Sequence, residues 1–225
     1  MDFWVETKQD LEDAVQEYGF LPYFQNSIPG FSLAEHCSRY TLFNDMDGHD
    51  TWSWKGPVIQ DLNCAYGKFF EKKAAYVSKE WFLDFANYRR NGYDFEGFFN
   101  DEWTSFRDKA LYDVVEELGP ALSKALKKAG GYGGKDGKKG FDTILTRLQM
   151  QCFVVTTDFV FQEDKYGKRY GWGVAEYATV EQYYGDWFIK NAYRREPEES
   201  YERLFEHFRK ILPEASEKQI KKILG

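Results

Sequence analysis

Apolar positions in this chain change period several times, and each change marks an element. Between Gly140 and Tyr177, in GFDTILTRLQMQCFVVTTDFVFQEDKYGKRYGWGVAEY, the period shifts from helical to extended. Phe141, Ile144, Leu145 and Leu148 share one helical face, with Asp142 or Thr143 as the expected cap. The apolar, β-branched run Cys152 to Phe161 reads as a strand, and the charged EDKYGKR reads as a turn. Tyr170, Trp172, Val174 and Tyr177 bring a second strand back. Upstream, Phe106, Ala110, Val114 and Leu118 stripe one face of EWTSFRDKALYDVVEELG, and PALSKALKKAG makes a further helix after the turn at Gly119–Pro120. Helix, helix, helix, strand, turn, strand is the order of a winged-helix unit.

The first half spells a similar order. Thr7 opens the helix TKQDLEDAVQEYG, in which Leu11, Ala14, Val15 and Tyr18 share a face and Gly19 provides the stop. Ser32 and Glu35 spell a capping box for a short helix, SLAEHC. Residues 44–56, NDMDGHDTWSWKG, read as a loop, and Pro57 suits the first turn of a helix PVIQDLN. AYGKFF and AAYVS form a hairpin around Glu71–Lys73, the alternative being one helix from Pro57 to Arg90. Ser78 then caps SKEWFLDFANYRRNG, and YDFEGFFND links the halves. Thr179, Pro197 and Ser216 begin three C-terminal helices. The expected fold is α+β and mainly helical. Winged-helix-like units at 1–93 and 94–178 carry short hairpins, and a helical extension fills 179–225.

Composition adds constraints. The 225 residues suffice for a proper core, and aromatics at 19% point to one built from large flat side chains. Net charge is −7, so contact with nucleic acid must rest on a local patch. From Gly119 to Trp172 there are ten Lys or Arg against five acids, a net +5 that leaves −12 for the remainder. A basic segment inside an acidic chain is what phosphate contact requires. Its candidate contacts are Lys124, Lys127, Lys128, Lys138, Lys139 and Arg147, with Lys165, Lys168 and Arg169 on the hairpin tip.

Cys37, Cys64 and Cys152 lie far apart, without CxxC spacing, and their odd number argues against a disulfide framework. The start MDFWVETKQDLED lacks the basic and apolar regions of a signal peptide, and no apolar run reaches the length of a membrane span. A reducing, cytoplasmic setting is expected, with no cofactor.

The helix before Gly119, SKALKKAG, TILTRLQMQCFVVTTDF and YGWGVAEYAT occur in an informative order, together with WSWKG and ANYRRNGYDF. Across residues 50–185 the chain resembles the winged-helix DNA glycosylases typified by AlkZ and YcaQ, and the short AlkZ-related proteins more than the full enzymes. The resemblance implies tandem winged helices and DNA binding. It also implies base excision where the Gln-x-Gln or Gln-x-Asp motif of that family, which positions or activates water at a flipped nucleotide, is in place. Gln149-Met150-Gln151 matches its spelling. In the family the motif stands near the start of the chain, whereas here it falls where a helix passes into the ribbon. Surface or strand-edge hydrogen bonding is the competing role for this pair.

Other chemistry finds less support. His36, His49 and His207 are scattered and show no catalytic partners. Asp45, Asp47, His49 and Asp50 cluster, but a calcium loop centred on Gly48 would need carboxylates where Phe43 and Trp54 stand. GGYGGKDGKKG lacks the GxxxxGK[ST] spelling of a phosphate loop. Three functions therefore compete: a nucleic-acid-binding protein, a protein-interaction scaffold using exposed Tyr or Trp on acidic helices, and a residual DNA glycosylase.

Overall fold

The computed structural model describes residues 1–44, 48–166 and 169–225, without the side chains of Glu163, Arg169, Tyr170 and Trp172. Capping begins the chain as its sequence dictates. Thr7 and Asp10 form a reciprocal capping box at α1 (Lys8–Tyr18), and Gly19 ends it at φ 76°. β1 (Phe20–Pro22) follows. The expected helix SLAEHC shortens to one 3-10 turn, Leu33–Glu35, because the Ser32 hydroxyl bonds the Glu35 carboxylate and caps no backbone N–H.

After α2 (Arg39–Leu42), the presumed loop 44–56 holds most of α3 (Thr51–Gln60). Asp50 starts this helix by accepting the Ser53 amide at 2.8 Å, so Pro57 lies inside it rather than at its first turn. β2 (Cys64–Phe70) and β3 (Lys73–Ser78) form the anticipated hairpin. α4 (Lys79–Arg89) comes next, and the presumed link at Tyr93–Asp101 holds a further helix, α5 (Phe95–Asn100).

The second half runs α6 (Phe106–Leu118), β4 (Ala121–Leu122), α7 (Ser123–Ala129), α8 (Phe141–Met150), β5 (Val154–Glu163) and β6 (Arg169–Thr179). Gly140, in the left-handed region, precedes α8 in place of an Asp142 or Thr143 cap. Thr179 caps α9 (Val180–Tyr184) as read, but Gly185 breaks that helix before α10 (Asp186–Asn191). α11 (Pro197–Ile211) and α12 (Glu217–Leu224) close the chain. None of the helices among the described residues is long and apolar enough to cross a membrane.

The fold is α+β, with twelve α-helices and one six-stranded antiparallel sheet among the described residues. Its strand order, β1-β3-β2-β5-β6-β4, contains a repeat. Each half supplies a helix, a short strand, two helices and two longer strands, and in each the short strand pairs with the last. The halves meet where β2 lies against β5, with Tyr66 opposite Thr156. There the helices cross over: α3 of the first half packs on β5, and α8 of the second packs on β2. Gly56 permits the first approach, since a Cβ there would lie 2.8 Å from Asp158 Oδ1.

Packing ties the C-terminal helices to the first half. One core joins Phe20, Phe31, Phe70 and Phe85 to Phe208, Ile220 and Leu224. Arg90, with no exposed surface, donates twice to the Cys152 carbonyl at 3.2 and 2.6 Å and once to Glu181 at 2.6 Å. Cys152 adopts φ 62° where α8 turns into β5, so Arg90 holds that turn from beneath. Buried Asp84 accepts from Arg195, Ser200 and Arg203, which seats the start of α11 on α4.

Candidate nucleic-acid interface

At the junction of the halves lie two adjoining concavities. The larger, of about 690 Å³, takes Thr143, Thr146 and Arg147 from α8, Lys68 and Lys72 from the β2–β3 hairpin, and Arg89 from α4. The smaller, of about 320 Å³, lies between α3 and α8 and is bordered by Trp52, Lys55, Gln149, Tyr66, Thr156 and Phe159. Lys68 and Lys72 border both. Residues contributed by separate halves thus form one continuous surface.

The local fold explains why cations gather here. Tyr66 and Lys68 are two apart on β2, so the strand's period of 2 sends both side chains to one face. The tight turn that follows holds Glu71 at φ 48° and Lys72 at φ 64°, a left-handed pair, and Lys72 lines both concavities. Among the described residues no carboxylate forms an ion pair with Lys68, Lys72 or Arg89. Lys68 Nζ donates to the Thr146 hydroxyl at 3.5 Å. Arg89 donates to the carbonyls of Met150 and Ile223, while its Nε is buried without a partner. Burial pulls its guanidinium below the ordinary arginine value. Asp142 is the carboxylate lining this groove, and Lys127 approaches it at 3.5 Å.

Aromatic surface completes the groove. Trp103 is 55% exposed, lines the wall and stacks on Phe98 with ring centroids 6.0 Å apart. Nearby Phe106 is exposed and packs edge-on against Phe99. Cations interleaved with exposed rings suit a backbone of phosphates carrying stackable bases.

The Gln149-Met150-Gln151 pair divides at this point. Gln149 is 2% exposed, its carbonyl oxygen accepts the Lys68 amide at 3.1 Å, and its amide donates to Leu145 O. It therefore fastens α8 to β2. Gln151 lines the larger groove, and its Oε1 is buried without a hydrogen-bond partner. Arg147 is also partly committed, since Nε and Nη2 donate to Asp108 at 2.9 and 2.6 Å. Burial alone would raise the Asp108 carboxyl, but bonds from Ser105 and Arg147 outweigh it and hold the group below its ordinary value.

A family model described as AlkZ related matches residues 5–225. The chain belongs to the AlkZ-related family. The match extends well beyond the stretch 50–185 in which the resemblance was read, and it suggests a role related to DNA repair. No curated protein matches the chain, and no solved structure does.

In this AlkZ-related protein the other expected contacts lie apart from the groove floor. Lys124 and Lys128 are exposed on α7, and Lys139 is exposed before α8. Lys138 folds back to donate to Gly130 O at 3.1 Å. Lys165 stands exposed at the hairpin tip, with Nζ 4.8 Å from the Tyr166 ring centre. Lys168 falls outside the described residues, as do Asp45, Asp47 and the Arg169 side chain. Asp50, the described acid of that cluster, is used as a helix cap for α3. Among the described residues no group of three or more His, Cys, Asp or Glu could hold a metal ion.

Charge counted over a sequence window missed Lys68, Lys72 and Arg89, which sit in the acidic part of the chain. Trp52 and Lys55 lie in a segment whose Gly56–Pro57 pair spells a loop in the sequence, although it folds as α3. The signal for Lys68 and Lys72 was present, since the hairpin carrying them was recognised.

Proposed function

We propose that the protein is a tandem winged-helix DNA-binding protein of DNA repair, and that it holds DNA along the groove where its halves meet. The repeated order helix, short strand, helix, helix, strand, strand supports winged-helix units at 1–93 and 94–178, followed by the helical extension 179–225. The observation that carries the binding reading is the groove itself. Both halves contribute cations to it, and Lys68, Lys72 and Arg89 have no carboxylate partner among the described residues. Unneutralised cations beside an exposed Trp103 suit phosphate contact with base stacking better than they suit a bare fold-stabilising role.

α7, the loop before α8 and the hairpin tip then serve as outer contacts, through Lys124, Lys127, Lys128, Lys138, Lys139 and Lys165, with Lys168 and Arg169 as further candidates from the sequence. Of the Gln pair, Gln151 is the one that lines the groove, and a change of rotamer would bring its buried, unpartnered Oε1 to a base. Base excision would need Gln149 to leave the Lys68 amide, so binding is the activity that this arrangement favours.

Fluorescence anisotropy with single-stranded, duplex and alkylated or crosslinked DNA tests the reading. Binding at low salt is expected, with preference for DNA whose bases are unpaired or damaged. Negligible affinity for every DNA would leave the protein-interaction scaffold as the better account. An abasic product lost on Gln151→Ala would add catalysis to binding.

A further inference from the structure

Lys55 is 2% exposed, yet it sits on the wall of the smaller recess. Its Nζ lies 3.0 Å from the Trp52 ring centre and 4.1 Å from that of Phe159. Asp50, the acid whose field acts on it, spends both oxygens on the amides of Ser53 and Asn44 and makes no ion pair with it. Two aromatic faces rather than a carboxylate therefore face the amine, and their cation–π attraction offsets only part of the cost of burying its charge. Burial pushes its ammonium down to about 7, against the opposing field of Asp50, so much of it is a free amine at neutral pH. A desolvated amine in an aromatic pocket is an activated nucleophile towards carbonyl carbon.

The recess is at the small end of ligand sites and continues into the cationic groove through Lys68 and Lys72. Phosphates held by those lysines would bring a sugar, without its base, within reach of the recess. We propose that Lys55 is an amine nucleophile that forms an imine with the ring-opened deoxyribose aldehyde of an abasic site in DNA. The proposal rests on the DNA-binding reading. The Nζ lone pair attacks the C1′ carbonyl carbon, and the two amine hydrogens leave with the carbonyl oxygen as water. The walls formed by Trp52, Tyr66 and Phe159 limit the water that would reverse the step.

Trapping with sodium cyanoborohydride provides the test, because it reduces an imine to a stable secondary amine. The full chain is incubated with an abasic oligonucleotide, the same oligonucleotide with all bases present, or free 2-deoxyribose. Adduct is read by gel and by peptide mass. The expected result is an adduct with the abasic oligonucleotide, located on Lys55 and reduced at least tenfold in Lys55→Met and in Lys55→Arg, with circular dichroism confirming that both fold. An adduct carried by Lys68 or Lys72 instead, or equal labelling by free 2-deoxyribose, would overturn it. Anisotropy with the intact oligonucleotide runs in parallel. Absence of adduct with DNA binding retained sinks this inference alone, whereas absence of both sinks the DNA-binding reading with it.

Discussion

Individual side chains at the junction divide into those that hold the fold and those left over. Lys55 shows how one group can strain the first role. Its pKa, pushed down to about 7, lies below that of the unfolded chain, so between pH 7 and 10.5 the unfolded state binds the extra proton. Stability should therefore rise with pH across that window and lose this gain as pH falls through it. Replacing the lysine with Met removes the dependence. Chemical denaturation should find Lys55→Met more stable than the parent at pH 7, by up to on the order of 4 kcal/mol, with the gap closing towards pH 10.5. A gap independent of pH would show that the amine is well solvated. Arg147 plays the opposite part: Arg147→Met leaves the buried Asp108 carboxylate short of two donors and should cost about 1–3 kcal/mol. Asp108→Asn in the same background should recover part of that loss. The sequence made Arg147 legible as a cation on α8 but could not show that Asp108 had claimed it, since that contact joins helices 39 residues apart.

At the scale of elements, legibility followed local chemistry. The β2–β3 hairpin, α8 and the β5–β6 ribbon were readable because period and turn residues agreed. β1 and β4 escaped because strands of 3 and 2 residues have no period, and only pairing with β3 and β6 defines them. α3 was hidden by Gly56 and Pro57, whose usual meaning is a break. Close packing on β5 requires the glycine, and the Asp50 cap starts the helix ahead of the proline. The β2–β3 turn carries a prediction of its own. Lys72 at φ 64° pays a steric penalty that glycine avoids, so Lys72→Gly should raise stability by about 1 kcal/mol in thermal unfolding. The same change should weaken DNA binding. Stability and affinity moving together would mean that Lys72 does not touch DNA.

Across the whole molecule, the sheet and the C-terminal helices make the repeated halves interdependent. Tyr66 pairs with Thr156 across the junction, and Phe208, Ile220 and Leu224 complete a core begun by Phe20 and Phe85. Heat should unfold the chain in one transition, with calorimetric and van't Hoff enthalpies in agreement, and removal of 197–225 should abolish it. Two resolved transitions would instead show units that fold separately. The same interdependence places the groove: neither half alone has the cations of the other, and no count along the sequence could join Lys68 and Lys72 to Arg147. The most direct measurement is therefore the salt dependence of DNA affinity for the parent chain and for Lys68→Ala/Lys72→Ala. Loss of two phosphate contacts should weaken binding and flatten the slope of log K against log salt by roughly 1.5. Neutralising Lys165 and Arg169 at the tip should have a smaller effect. An unchanged slope and affinity in the double variant would contradict a groove that holds DNA between the two halves.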